Sequence, residues 1–163
     1  MIEIIWEELF SDMTDTRMLV RLIIRLLAAM LFGAVVGFQR ERTGKPAGLR
    51  THMLVSVGAA LFVLAAIEAG MSLDGISRVI QGLATGIGFI GGGAILKLQA
   101  QREIEGLTSA AGIWMTAAIG VAVGLGRIPL ALMSVILTLI ILTLFSRIES
   151  RINEGHHRYH ATD

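Results

Sequence analysis

The chain has 163 residues, of which 54% are hydrophobic and only 17% charged, with a mean hydropathy of +0.72. Soluble domains average about 25% charged residues, so this composition is not that of a domain built for water. A formal net charge of +1 offers no field for nucleic acid, and the absence of cysteine excludes disulfides, thiolate metal sites and cysteine nucleophiles.

The first segment, residues 1–17, opens MIEIIWEELFSDMTD, which is acidic and lacks the basic start of a secretory signal. Ile2, Ile5, Trp6, Leu9 and Phe10 share one helical face, with Glu3, Glu7 and Glu8 elsewhere. That pattern predicts an amphipathic helix lying in the membrane interface, with Trp6 at headgroup level.

A membrane-spanning helix needs ~20 mostly apolar residues, and five blocks qualify: 18–38, 49–69, 79–98, 107–125 and 128–145. The fold class expected is therefore an all-α integral membrane protein. A five-helix transmembrane domain covers residues 18–146, with a short cytoplasmic tail over 147–163.

The first span starts with Arg21 and Arg25, which continue from Arg17 at i, i+4, i+8; these three are expected to face the acidic N-terminal helix or a wet crevice. Gly33 and Gly37 form a G-x-x-x-G face, the spacing that lets helices approach closely in lipid.

Between the first two spans lies QRERTGKPAGLRTH, in which Gly44, Pro46 and Gly48 predict a turn. Its basic residues are open to two readings. One is retention on the cytoplasmic side by anionic lipid. The other is an anion site involving Arg40, Glu41, Arg42, Arg50 and His52.

The third span contains TGIGFIGGGAIL, where Gly86, Gly88 and Gly91 match a dinucleotide-binding G-x-G-x-x-G. That turn needs a preceding strand, a following helix and water around the phosphates, and the apolar flanks VIQGLA and AILKL do not supply that context. The glycines are expected to serve helix packing instead, through Gly82 with Gly86 and Gly88 with Gly92. Gly91, Gly92 and Gly93 in a row fit either tight packing or a break whose freed backbone lines a site. Gln81 and Thr85 share a face with Gly88 and Gly92, so a polar path from Gln39 through Gln81, Thr85 and Gly91–Gly93 is a candidate.

The fourth span carries Thr108, Gly112, Thr116, Gly120 and Gly124 at four-residue intervals, the most regular packing stripe in the chain. The fifth has Pro129 in its first turn, where a missing N–H is harmless. Small-residue faces in this abundance lead us to expect a homodimer.

Orientation follows lysine and arginine. An outside N-terminus and cytoplasmic C-terminus put nine of the fourteen (Arg40, Arg42, Lys45, Arg50, Lys97, Arg102, Arg147, Arg151 and Arg158) on the cytoplasmic side.

Three blocks, QRERTGKPAGLRTHMLVSVGAAL, GIGFIGGGAIL and EGLTSAAGIWMTAAIGVAVGLG, together resemble the signatures of the MgtC/SapB family of bacterial inner-membrane proteins. The resemblance implies a five-helix membrane domain with its N-terminus outside, and a link to magnesium limitation, acid stress and virulence. It also implies either Mg2+ transport or regulation of another membrane machine such as the ATP synthase. Two departures stand out. The chain resembles the short branch lacking the soluble domain that follows the fifth helix, and Gln39 stands where the family usually has glutamate. A cation or proton role for that carboxylate does not carry over to Gln39.

Magnesium prefers hard oxygen ligands and releases water reluctantly, and a path for it would normally show carboxylates within the membrane. Here Glu41 and Glu68 sit at opposite ends of the predicted spans, leaving only neutral oxygens such as Gln81, Thr85, Thr108, Ser109 and Thr116. A regulator needs small-residue faces and a charged rim, both present. The expectation is a non-enzymatic regulator, with ion transport as the alternative. No cofactor is expected, Mg2+ entering only as ligand or cargo. His156 and His160 have helical metal spacing, but a solvated tail is the simpler reading.

Overall fold

A computed structural model describes residues 1–2, 16–98 and 103–145. The interfacial segment expected over 1–17 and the tail with its histidines lie outside the described residues, apart from their margins.

Five helices form. They are α1 (Thr16–Arg42), α2 (Leu49–Glu68), α3 (Leu73–Gly93), α4 (Leu107–Gly124) and α5 (Ile128–Ile140), with α5 running on as a π-helical turn over Ile141–Phe145. The exception to helix is a small antiparallel hairpin of β1 (Leu96–Leu98) and β2 (Glu103–Glu105), pairing Leu96 with Glu105 and Leu98 with Glu103. Three helices, α1, α2 and α4, are long and apolar enough to cross a membrane, and Ile128–Leu144 is a shorter apolar helix. At 21 residues α3 is long enough but carries Asp74, Arg78 and Gln81 among its glycines.

The boundaries correct two expectations. First, α1 continues through Gln39–Arg42, so Arg40 and Arg42 belong to a helix and not to the loop. Nothing before Thr43 breaks the helix, and basic residues in a last turn suit the helix dipole. Thr43 Oγ1 then bonds the carbonyls of Gln39 and Arg40, and Gly44 turns the chain at φ +63. Second, α3 runs over Leu73–Gly93 and not 79–98. It starts where the Ser72 side chain accepts from the Gly75 amide, with Asp74 in the first turn. It stops after three consecutive glycines, each ~1 kcal/mol poorer than alanine in a helix.

Gly106 closes the hairpin onto α4 at φ +94, and a Cβ there would collide with the Ala94 carbonyl. Gly106→Ala is therefore expected to lower stability by about 1–3 kcal/mol, read as the thermal unfolding midpoint in detergent. Gly88→Ala, whose Cβ would meet nothing, is expected to leave that midpoint unchanged or raised.

Packing is organised around α4, which touches the other four helices. Ten of its 18 residues are buried, whereas α3 buries only Ile87 and Gly91. The glycine faces explain the close contacts. A Cβ on Gly37 would lie 2.7 Å from Leu49 Cα, and one on Gly33 would lie 2.9 Å from Ser56 Cβ. From the other side, a Cβ on Gly124 would lie 2.9 Å from the Ala60 carbonyl oxygen, and one on Gly120 would strike the Ser56 carbonyl. Thus α2 is clasped between the bare backbones of α1 and α4, the mode of association that lipid favours. A core of Ala29, Val36, Ala60, Ile119, Val123 and Ala131 fills the rest.

The packing expected of Gly82 and Gly86, and of Gly88 and Gly92, is not made with any of the described residues. A Cβ at any of the four would meet nothing within 4 Å, because this face of α3 turns outward. Thr108 likewise is exposed, so the stripe on α4 begins at Gly112 and faces α2. At the opposite end of the bundle, Arg25 donates to the Gly124 carbonyl at 3.0 Å, so a guanidinium covers the negative end of α4.

Candidate functional site

The buried polar groups gather where α1 ends and α2 and α4 begin. Arg40, in the last turn of α1, is only 4% exposed, and its Nη2 donates to Ser109 Oγ at 2.6 Å. Two turns further along α4, Thr116 meets His52 of α2, with 2.7 Å between Thr116 Oγ1 and His52 Nδ1. His52 and Thr116 are fully buried. Gly112 lies between the two contacts, its Cα bare where the imidazole passes: a Cβ there would sit 3.6 Å from His52 Cε1. The positions 109, 112 and 116 share one helical face, which sets arginine and imidazole side by side along α4.

Thr116 Oγ1 also lies 2.9 Å from the Gly112 carbonyl, and its single proton goes either there or to Nδ1, so the tautomer of His52 follows that choice. His52 Nε2 has no hydrogen-bond partner, and neither do Ser56 Oγ, Gln39 Oε1 and Arg40 Nε, all of them buried. Each unsatisfied buried group costs ~1–3 kcal/mol, so the cluster is retained against stability.

The five residues expected to form an anion site separate into three roles. Arg40 and His52 come together in the interior. Glu41 turns away, its Oε2 accepting from the Leu49 amide at 2.8 Å and so holding the start of α2 in place of a side-chain cap. Arg42 lies exposed over the Phe38 ring at 5.4 Å, and Arg50 is exposed.

The candidate polar path is not assembled inside the chain. Gln39 is on α1 with its Oε1 buried and unpartnered, while Gln81 and Thr85 lie on the outward face of α3, where Thr85 Oγ1 bonds the Gln81 carbonyl at 2.9 Å. Gly91 packs against Ala110, and Gly92 and Gly93 are exposed at the helix end. Sequence reasoning missed Ser56 altogether; its signal is the i, i+4 relation to His52, which puts both on the face clasped by Gly33 and Gly120. Ser109 was legible as a neutral oxygen but not as the partner of Arg40. Among the described residues no group of three or more histidine or acidic side chains is placed to hold a metal.

Two apolar features flank α3, away from this cluster. A cavity of about 150 Å³ lies between α3 and α4 around Leu83 and Trp114. An open groove of about 520 Å³, lined by Phe62, Val79, Gly82, Gly86 and Ile90, runs between α2 and α3.

The model of the MgtC family matches residues 26–151. Protein SrpB of Synechococcus elongatus is 44% identical over 136 residues, covering 77% of this chain and 75% of that protein. The putative magnesium transporter YhiD of Escherichia coli is 40% identical over 143 residues, 83% of this chain and 66% of that one. Protein MgtC of Salmonella typhimurium is 40% identical over 143 residues, 84% of this chain and 60% of that one. No solved structure matches.

Proposed function

The chain belongs to the MgtC family, and from that premise we propose that this multi-pass membrane protein serves magnesium homeostasis by binding another membrane protein, without enzymatic chemistry. The observation that carries the reading is the contrast between its glycine faces. Those of α1 and α4 are consumed in clasping α2, while that of Gly82, Gly86, Gly88 and Gly92 on α3 meets nothing among the described residues. Glycine in a helix without close contact costs about 0.5–1 kcal/mol relative to alanine; a helix approaching from a partner would repay that cost. The partner class is a transmembrane helix with a small-residue face of its own. A second copy of this chain, or a machine such as the ATP synthase, falls within that class.

The alternative is ion transport, the activity in the name of the Escherichia coli relative YhiD. The polar interior argues against it for a dication. Its one buried charge among the described residues is the Arg40 guanidinium, which would repel Mg2+ in a medium of low dielectric. The surplus of lysine and arginine on one side supports an outside N-terminus and a cytoplasmic C-terminus in the bacterial inner membrane.

Purified protein in liposomes loaded with a magnesium-sensitive dye is expected to show no Mg2+ influx above that of empty liposomes. Saturable influx would establish transport and displace the regulator reading.

A further inference from the structure

We propose that Arg40 and the first turn of α4 form a binding site for a phosphate group, presented either by free phosphate or by a lipid headgroup. Two independent features converge there. The first is the unfinished N-terminus of α4. Its N-cap is Gly106, which has no side chain to accept a hydrogen bond, and no acidic residue stands in the first turn. The amides of Leu107, Thr108 and Ser109 find no acceptor among the described residues. Such a turn carries about half a positive charge and directs its free amides outward, the arrangement that receives oxyanions elsewhere.

The second feature is Arg40. A helix N-terminus is the wrong place for a cation, yet this guanidinium is 96% buried and bonded to Ser109, the third residue of α4. Its Nε–H points at no acceptor, and no described carboxylate contacts it. Glu41, the acid beside it in sequence, is occupied by the Leu49 amide. The end of α1 favours this cation, but its burial and the like-signed start of α4 both cost free energy, and one anion relieves both. A phosphate group suits the pair better than a halide, because one oxygen can take the Arg40 Nε–H while another takes the amides.

Access and supply fit as well. Leu107 and Thr108 are exposed, so the first turn opens outward even though Ser109 is buried. Arg42, Lys45 and Arg50 are exposed at the same end of the bundle, where α1 finishes and α2 starts. These side chains raise the local concentration of anions without taking part in the site. The end of a 27-residue helix that outreaches the hydrocarbon also places Arg40 near the level of lipid phosphates.

The test uses the full chain, delipidated in phosphate-free detergent. Inorganic phosphate is titrated in one arm, phosphatidylglycerol is doped into the micelles in the other, and thermal stability is read in both. Native mass spectrometry of the second arm counts retained lipid. Stabilisation by at least one source is expected for the wild type, for Arg42→Gln and for Glu103→Gln/Glu105→Gln. Loss of that stabilisation is expected for Arg40→Gln. A response to inorganic phosphate identifies the free ion, and a response confined to phosphatidylglycerol identifies the headgroup. If neither source binds, if Arg40→Gln responds like the wild type, or if the response needs Glu103 and Glu105, the assignment fails. Should Arg40→Gln not fold, Ser109→Pro decides: it keeps Arg40 but removes the Ser109 amide and hydroxyl, and an undiminished response overturns the site.

Discussion

Gly120→Leu is expected to prevent assembly of the bundle. Even a Cβ at this position would strike the carbonyl of Ser56, and it would come within 2.9 Å of Ala59 Cβ. The obstacle is backbone, which cannot swing aside as a side-chain tip can. A leucine adds three more carbons in the same direction, so α2 and α4 must separate along their length. Overpacking in an ordinary core costs about 1–3 kcal/mol, and displacement of a helix backbone exceeds that range. The separation also breaks the bond between His52 and Thr116, one turn away on each helix. The measurement is the yield of monodisperse protein after detergent extraction, with the thermal midpoint of whatever survives. Gly86→Leu is the matched comparison. Its side chain enters open space beside the groove between α2 and α3, so extraction and midpoint should equal those of the wild type. If Gly120→Leu behaves like Gly86→Leu, the clasp around α2 is wrong.

That contrast also marks how far the sequence could be read. Both positions belong to four-residue glycine patterns, and both predict close helix contact. The number of helices, the close-packing glycines of α1 and α4 and the turn after α1 were all legible, because each follows from a local pattern and the solvent. What a local pattern lacks is direction. Nothing near Gly86 says that its face points away from the bundle, since that depends on how few residues of α3 the other helices cover. The end of α3 was misplaced for a related reason. Ala94–Leu98 is as apolar as the span before it, so hydropathy continued the helix through the hairpin. Only the run Gly91–Gly93, read there as a break or as packing, marked the true end.

The site was half legible. Arg40 and His52 were named from a cluster of charge, but so were Arg42 and Arg50, which stay at the surface. The helical phase of α1 decides between Arg40 and Arg42. Gly33, Gly37 and Arg40 fall on one face at i, i+4, i+7, and that face is the one pressed on α2 and α4. The phase became readable only once α1 was known to run through to Arg42. Ser109 and Thr116 found their partners 69 and 64 residues away, a separation that no spacing rule in one sequence reveals.

Arg40→Met is expected to make the protein more stable and to abolish its function. The wild-type guanidinium is buried with one hydrogen bond, an unpaired Nε and no described counter-charge. Methionine keeps most of the length and volume and removes the charge. Exchanging buried ionic groups for apolar ones of similar size stabilises by about 1–4 kcal/mol in the favourable cases. Against this, Ser109 Oγ loses its donor, at ~1 kcal/mol, so a net gain remains. The thermal midpoint in phosphate-free, delipidated detergent should therefore rise. In the same variant, growth in low magnesium of a bacterium deprived of its own family member should not be restored. Arg40→Lys separates charge from shape. An ammonium retains the cost of burial but not the planar fork that serves Ser109 and a second acceptor together, so neither stability nor function should improve on the wild type. A fall in the midpoint of Arg40→Met would mean that the guanidinium is already neutralised within the chain. The polar cluster would then be a structural tie, and the reason given for its retention would be lost.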